Sequence, residues 1–191
     1  MKYQEDNHYI DRVLSGDVAA YSLLVAKHKN LVFSIALKIL NNREDAEEIA
    51  QDCFLKVFQA LKTFERKSKF STWLYRIVYN AAISKTRKKK LDLVPMDNYV
   101  IHNYSEDEVS TGVGEMDPEE QKVMVERAME RLTDDENLLI TLFYKGDNSI
   151  EDISNITGLS MSNVKVRLHR IRKKLHDELM TMMNRSIHRV N

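Results

Sequence analysis

The sequence predicts an all-α protein: two small helical domains joined by a flexible acidic linker, the second a helix-turn-helix domain. Three observations carry that expectation. The 191 residues include only five Gly and two Pro, and 30% are charged, a composition that suits a mostly helical chain. Apolar residues recur at three- and four-residue steps through most of the length. Charge is segregated although the chain is neutral overall. Residues 61–90 carry ten Lys/Arg against Glu65, residues 91–120 carry nine acids and no Lys or Arg, and residues 149–191 carry eight bases against four acids. Two basic blocks separated by an acidic one suggest two nucleic-acid contacts with a connector that avoids the duplex.

Other classes are disfavoured. No apolar run approaches membrane-spanning length, and the start MKYQEDNHYI lacks the apolar core of a secretory signal. No membrane insertion and a cytoplasmic location are expected. Cys53 is the single cysteine, which excludes an internal disulfide framework. It sits on an apolar helical face and reads as a small buried residue rather than a nucleophile.

The first domain spans 1–90. A short helix is expected from about His8 to Leu14, with Gly16 as its stop. Asp17 can cap the next helix, where Val18, Tyr21, Leu24, Val25 and His28 form a stripe. A second set, Val32, Ile35, Ala36, Ile39 and Leu40, continues it, as two helices or one bent helix. His28 has no companion ligand and reads as a packed or half-exposed histidine. Asn42 then offers a cap, and Glu44, Asp45, Glu47 and Glu48 favour the positive end of the helix that follows. Its inner face is Ala46, Ile49, Ala50, Cys53, Phe54, Val57, Phe58 and Leu61. The opposite face presents Asp45, Glu48, Asp52, Leu55, Lys56 and Gln59. An exposed Leu55 among acids hints at a partner surface. The same carboxylates also allow a minor alternative, a metal-dependent nuclease, although one helix supplies them all.

Glu65 to Lys69 makes a polar turn before the most basic helix. Ser71 can cap that helix, with Leu74, Ile77, Val78 and Ala81 inside. Arg76, Asn80, Ser84 and Arg87 then share another face. Cations interleaved with Phe64, Phe70, Trp73, Tyr75 and Tyr79 fit a polyanion whose bases can be stacked on. A core helix with a solvated basic end is the plainer reading of the same residues.

Both prolines, Pro95 and Pro118, fall in residues 91–120, with Gly112 and Gly114, and no periodicity appears there. A linker over 91–116 follows, with the second domain over 117–191. Asp117, Pro118 and Glu119 make a helix start, with Val125, Ala128 and Leu132 on the buried side. Thr133 and Glu136 form a capping-box pattern. Leu139, Leu142 and Phe143 follow, and Gly146 ends that helix. Ser149 with Asp152 starts another, with Ile153, Ile156 and Leu159 apolar and a turn at Gly158. Ser160 caps a last helix whose inner face is Val164, Leu168, Ile171 and Leu175. A helix, a Gly-containing turn and a basic second helix make a helix-turn-helix pattern. His169 and His176 read as solvated.

Three stretches carry a resemblance. FSTWLYRIVYNAAISKTRKKK closely resembles the promoter-melting segment of extracytoplasmic-function (ECF) sigma factors, the small bacterial initiation factors with only two of the sigma domains. DAEEIAQDCFLKVF resembles the sigma segment that docks on the clamp helices of RNA polymerase. SIEDISNITGLSMSNVKVRLHRIRKKL resembles the domain that reads the minus-thirty-five element. The resemblance implies polymerase contact by Asp45, Glu48, Gln51, Asp52, Leu55 and Lys56. It implies a pocket for a flipped minus-ten base at the Glu65–Lys69 loop, where Arg66, Lys67, Ser68, Lys69 and Phe70 offer polar groups and a ring. Asn80 suits base reading, while Arg76, Lys85, Arg87 and Lys88 suit phosphates. Trp73 is either core or a wedge at the edge of the opened duplex. On the last helix Ser162, Asn163 and Arg167 are placed for base edges, and Lys165, Arg170, Arg172 and Lys173 for phosphates.

The implied function is a dissociable sigma subunit, not an enzyme. Its partners would be core RNA polymerase, promoter DNA and an anti-sigma factor, with no cofactor and no small-molecule substrate. The alternative is a helix-turn-helix regulator that binds duplex DNA without polymerase, which leaves the docking helix and the aromatic melting segment unexplained. A third reading is an interaction protein that uses the sigma shape only to bind an anti-sigma partner.

Overall fold

In the computed structural model, residues 2–90 and 118–187 are described, with side chains from Glu5 to Arg87 and from Glu119 to Asn184. The 91–116 linker and the cap at Asp117 lie outside these residues. Eight helices follow one another among the described residues: α1 (Lys2–Leu14), α2 (Ala20–Leu40), α3 (Arg43–Ala60), α4 (Phe70–Lys90), α5 (Pro118–Met129), α6 (Asp134–Tyr144), α7 (Ile150–Thr157) and α8 (Met161–Ile187). The all-α expectation holds.

Helices α2, α3 and α4 pack mutually, and α1 lies against α2. Leu24, Val32 and Ile35 of α2 meet Ala46, Cys53 and Val57 of α3 and Leu74 and Val78 of α4 in one buried cluster. Burial raises the Cys53 thiol pKa to about 11, so it is an inert apolar filler. The stripe on α2 is unbroken, so the helix runs straight through Asn30 as a single element. α1 begins at Lys2 rather than near His8. Gly16, at φ +105°, supplies the turn after it. Asp17 accepts from the Ala20 amide at 3.3 Å, one turn ahead of α2.

Most caps follow their sequence signals, but α2 starts from Ala19 with no side-chain cap, where Asp17 was expected to serve. Asn42 accepts from the Asp45 amide, and Thr133 with Glu136 and Ser149 with Asp152 each close a capping box. Ser160 accepts from the Asn163 amide ahead of α8. Ser71 is not the cap of α4, because that helix already begins at Phe70. Three expected inward positions turn outward: Val18 is 59% exposed, Phe58 38% and Val125 47%. On α5 the buried side runs through Ala128, with Gln121 and Met124 half-buried, one position away from Val125.

The second unit packs α6, α7 and α8 around Leu139, Leu142, Ile153, Ile156, Val164, Leu168 and Ile171, with α5 closing on α8. The two units also meet each other: α2 packs on α6, and α4 packs on α7. At Gly146 a Cβ would lie 2.2 Å from Asn148 Nδ2 and 2.5 Å from the Leu142 carbonyl oxygen. The buried Asn148 amide donates to that same carbonyl at 2.8 Å. Gly146→Ala is therefore expected to cost about 1–3 kcal/mol through overpacking, read as a lower urea midpoint; an unchanged midpoint would refute this account of the turn.

Candidate nucleic-acid and polymerase interface

A 3₁₀ turn at Leu61–Thr63 ends α3, and the chain then makes the loop over residues 64–69. Arg66 holds a left-handed φ of 57°, and its guanidinium pairs with Asp11 of α1. That hydrogen bond holds the Asp11 carboxyl below its ordinary pKa. The loop is thus pinned to α1 at its tip. Between them lies a pocket of about 220 Å³, walled by Asp6 and Asn7 on one side and by residues 66–70 on the other. Arg66, Lys67 and Ser68 are exposed and Lys69 is half-buried.

The aromatic residues are less open than their sequence spacing suggested. Phe70 is only 3% exposed, with its ring edge-on to His28 at 5.5 Å and to Phe64 at 5.9 Å. It forms the pocket floor and is not a free stacking platform. Trp73 is half-buried and stacks on Phe64 with centroids 5.0 Å apart. Tyr75 is buried, its hydroxyl 3.1 Å from His28 Nδ1, and His28 Nε2 lies 3.2 Å from Asp6. His28 is therefore a fully packed histidine, and burial raises the Tyr75 pKa.

The inner face of α4 fixes what its outer face shows. Burying Leu74, Val78 and Ala82 turns Arg76, Asn80, Ser84 and Arg87 to solvent. The side chain of Lys88 lies outside the described residues. Lys85 behaves differently. Its ammonium sits 2.6 Å from Glu48 and 3.0 Å from Asp45, and these hydrogen bonds raise its pKa. It bridges α4 to α3 and does not stand clear for a phosphate. Two of the acids expected to meet polymerase are its partners. The remaining residues of that set, Gln51, Asp52, Leu55 and Lys56, are exposed on α3, with Leu55 62% open.

On α8, Ser162, Lys165, Arg170, Arg172 and Lys173 are exposed. Asn163 and Arg167 are half-buried and bonded to each other, with Arg167 Nε donating to Asn163 Oδ1 at 2.9 Å. Arg172 lies over the Phe143 ring at 5.0 Å and donates to the Tyr144 hydroxyl at 3.1 Å. It packs on α6 as well as facing outward.

Sequence reasoning missed the polar joint between the two units. Lys69 Nζ lies 2.7 Å from Asp152 Oδ2, and the Thr72 hydroxyl donates to Asp152 Oδ1 at 2.8 Å. The same carboxylate accepts from the Ser149 amide and hydroxyl. Asp152 had a visible role only as the capping partner of Ser149, and nothing in the local pattern marks a contact 83 residues away. Asp6 and Asn7 were missed because α1 starts earlier than its periodicity indicated, and Asp11 because its partner Arg66 lies 55 residues away. Among the described residues, no three His, Cys, Asp or Glu side chains gather as a metal site, and no helix is long and apolar enough to cross a membrane.

Residues 24–91 match the Sigma-70 region 2 family, and residues 122–175 match Sigma-70 region 4. The ECF RNA polymerase sigma factor SigW of Bacillus subtilis is 32% identical over 180 residues, covering 89% of this chain and 94% of that protein. The ECF RNA polymerase sigma-E factor of Haemophilus influenzae is 29% identical, covering 93% and 97%. Among solved structures, CnrH in complex with the cytosolic domain of CnrY superposes with a TM-score of 0.61 at 21% identity, covering 93% and 98%. The sigma factor RpoE of Bartonella quintana, in complex with the anti-sigma factor NepR, gives 0.59 at 23%, covering 84% and 96%. These two structures share the fold.

Burial alone would raise the Asp152 pKa, but hydrogen bonds from Lys69, Ser149 and Thr72 together outweigh it and hold the carboxyl below its ordinary 3.8. A depressed folded-state pKa gives stability that is present above the unfolded value and lost as pH falls through the folded one. Asp152→Asn should therefore cost about 1–2 kcal/mol at neutral pH. The gap from wild type should shrink as pH drops below 3.8. Urea unfolding of both proteins across that range checks it, and a gap independent of pH would contradict it.

Proposed function

The chain belongs to the extracytoplasmic-function family of RNA polymerase sigma factors, and from that premise we propose which surfaces carry its work. Sigma factors are non-catalytic initiation subunits; they direct core polymerase to promoters and assist opening. We read this chain as having no enzymatic activity of its own and as working in the cytoplasm. Residues 1–90 would be the docking and minus-ten domain, 91–116 the linker, and 117–191 the minus-thirty-five domain.

The exposed row Arg76, Asn80, Ser84 and Arg87 on α4 is the observation that carries the minus-ten assignment. Arg76 and Arg87 offer charge to phosphates, which positions a strand without reading it. Asn80 both donates and accepts, as a base edge requires. Binding energy to the displaced strand offsets the unpairing and unstacking cost of a few kcal/mol. The pocket at the 66–70 loop takes the flipped base. Residues Gln51, Asp52, Leu55 and Lys56 on α3 meet polymerase, with Asp45 and Glu48 beside them. On α8, Ser162, Asn163 and Arg167 face base edges, while Lys165, Arg170, Arg172 and Lys173 meet phosphates.

An anti-sigma factor is a further expected partner. The solved complex of the sigma factor RpoE with the anti-sigma factor NepR supports that reading.

Run-off transcription with core polymerase tests the assignment. Arg76→Ala with Asn80→Ala should lower open complex at least about tenfold, with polymerase affinity within about twofold of wild type. Leu55→Asp should do the reverse, weakening polymerase binding about tenfold or more. Equal loss of both activities in either variant would remove the division of labour between α4 and α3. Duplex binding without any effect on initiation would restore the polymerase-independent regulator.

A further inference from the structure

The outer face of α3 carries an order that its inner packing does not require. Glu48, Gln51, Asp52, Leu55, Gln59 and Lys62 are all exposed. They follow helical spacing, so they form one seam along α3 and the 3₁₀ turn that ends it. Within the seam the acids stand before Leu55 and the base after it. Leu55 is 62% exposed at the centre. Phe58 flanks it, propped from behind by the Tyr21 ring at 4.9 Å. Among the described residues no ion pair engages Asp52 or Lys62. Glu48 remains 64% exposed although Lys85 reaches one of its oxygens.

We propose that this seam is self-complementary and seats the α3 of a second copy of this chain, antiparallel to the first. A two-fold axis at Leu55 sets each residue against the one equally far on its other side. Glu48 and Lys62 are each seven residues from Leu55, and Gln51 and Gln59 are each four. Glu48 therefore meets the partner's Lys62, and the same pair recurs across the axis. Gln51 meets the partner's Gln59, and each carboxamide offers the other a donor and an acceptor. Leu55 meets its own copy, with Phe58 beside it, so an apolar centre is ringed by polar groups, as in specific interfaces. A parallel seat would set Glu48 on Glu48 and Lys62 on Lys62, and like charges reject it. One helix from each copy makes a small interface, below about 1,200 Å² in total. The pair is therefore reversible, with a Kd of roughly micromolar order.

The same face is assigned above to polymerase, so pairing and polymerase binding exclude each other. That exclusion rests on the polymerase assignment, whereas the pairing does not. Free chain is set aside as dimer when it accumulates and is returned to monomer by dilution or by core polymerase.

Sedimentation equilibrium of the full chain over about 1–100 µM tests the pairing. Wild type should pass from monomer toward dimer. Glu48→Lys and Lys62→Glu each reverse one end of the seam, and either alone should weaken self-association about tenfold or more. Mixed in equal amounts, the two variants should pair to within about threefold of wild type, because both rim contacts then join opposite charges. Leu55→Cys is an independent probe at an exposed position. Cys53 is buried, so a short thiol cross-linker should join two Leu55→Cys chains across the axis and leave wild type unlinked. A wild type that stays monomeric throughout overturns the pairing. So does a mixture no more associated than its parts, together with Leu55→Cys chains that do not link. Core polymerase added to wild type should replace the dimer by a one-to-one complex. A dimer that persists on polymerase upholds the pairing and overturns the docking role of α3, which is a separate failure.

Discussion

The Asp152 carboxylate is the point on which the relation between the two halves turns. It starts α7 by accepting from Ser149, and it holds α7 on α4 by accepting from Lys69 and Thr72. Both jobs need the charged form, because a buried carboxylate is tolerated only when its oxygens are filled. The second half is thereby attached to the first through the same atoms that order its own helix. The apolar core then runs on continuously from α2 and α4 into α6 and α7.

The cations of the chain fall into groups by what they already hold. Lys85 is held by Asp45 and Glu48, Arg66 by Asp11, Lys69 by Asp152, and Arg172 rests on two rings. Arg76 and Arg87 face solvent on α4, and Lys165 and Lys173 face it on α8. Charge counting along the sequence treats all of these alike. The fold spends part of the basic block on building its own loop and helix contacts, so the surface available to a polyanion is narrower than ten bases in thirty residues indicates. What remains is still ordered as a row on each basic helix, because in both cases the apolar residues on the opposite side are spaced for burial.

Legibility followed the range of the interaction. Capping boxes at Thr133 and Ser149, the Asn42 cap and most of the inner faces of α3, α4 and α8 rest on neighbours within a few helical turns, and they were readable from spacing, Phe58 excepted. Ser71 failed as a cap because α4 begins at Phe70, two residues sooner than a cap at Ser71 requires. Val125 failed because one step around α5 separates a buried from an open position, and neighbouring Met124 serves equally well. Phe70 read as a stacking surface because its neighbours are basic, whereas its ring is claimed by His28 and Phe64, both far from it in sequence or across a turn. Asp11, Thr72 and Asp152 act across tens of residues, and no local period encodes such a meeting.

Range also sets the energetic order in which a polyanion could engage these groups. The pairs Lys67–Glu65 and Arg66–Asp11 involve exposed carboxylates, and pairs of that kind contribute little and weaken with salt. A phosphate can compete for those cations with little loss elsewhere. Lys69 is different, since its partner is buried and shared with Thr72 and Ser149. Removing it strands a carboxylate that must then find water or lose its charge. Strand contacts along Arg76, Asn80 and Arg87 therefore require no rearrangement of the fold, while contact at Lys69 requires the α4–α7 seam to part. The basic helix is open along its length and closed at its start, and the closure is set by one carboxylate on the other half of the chain.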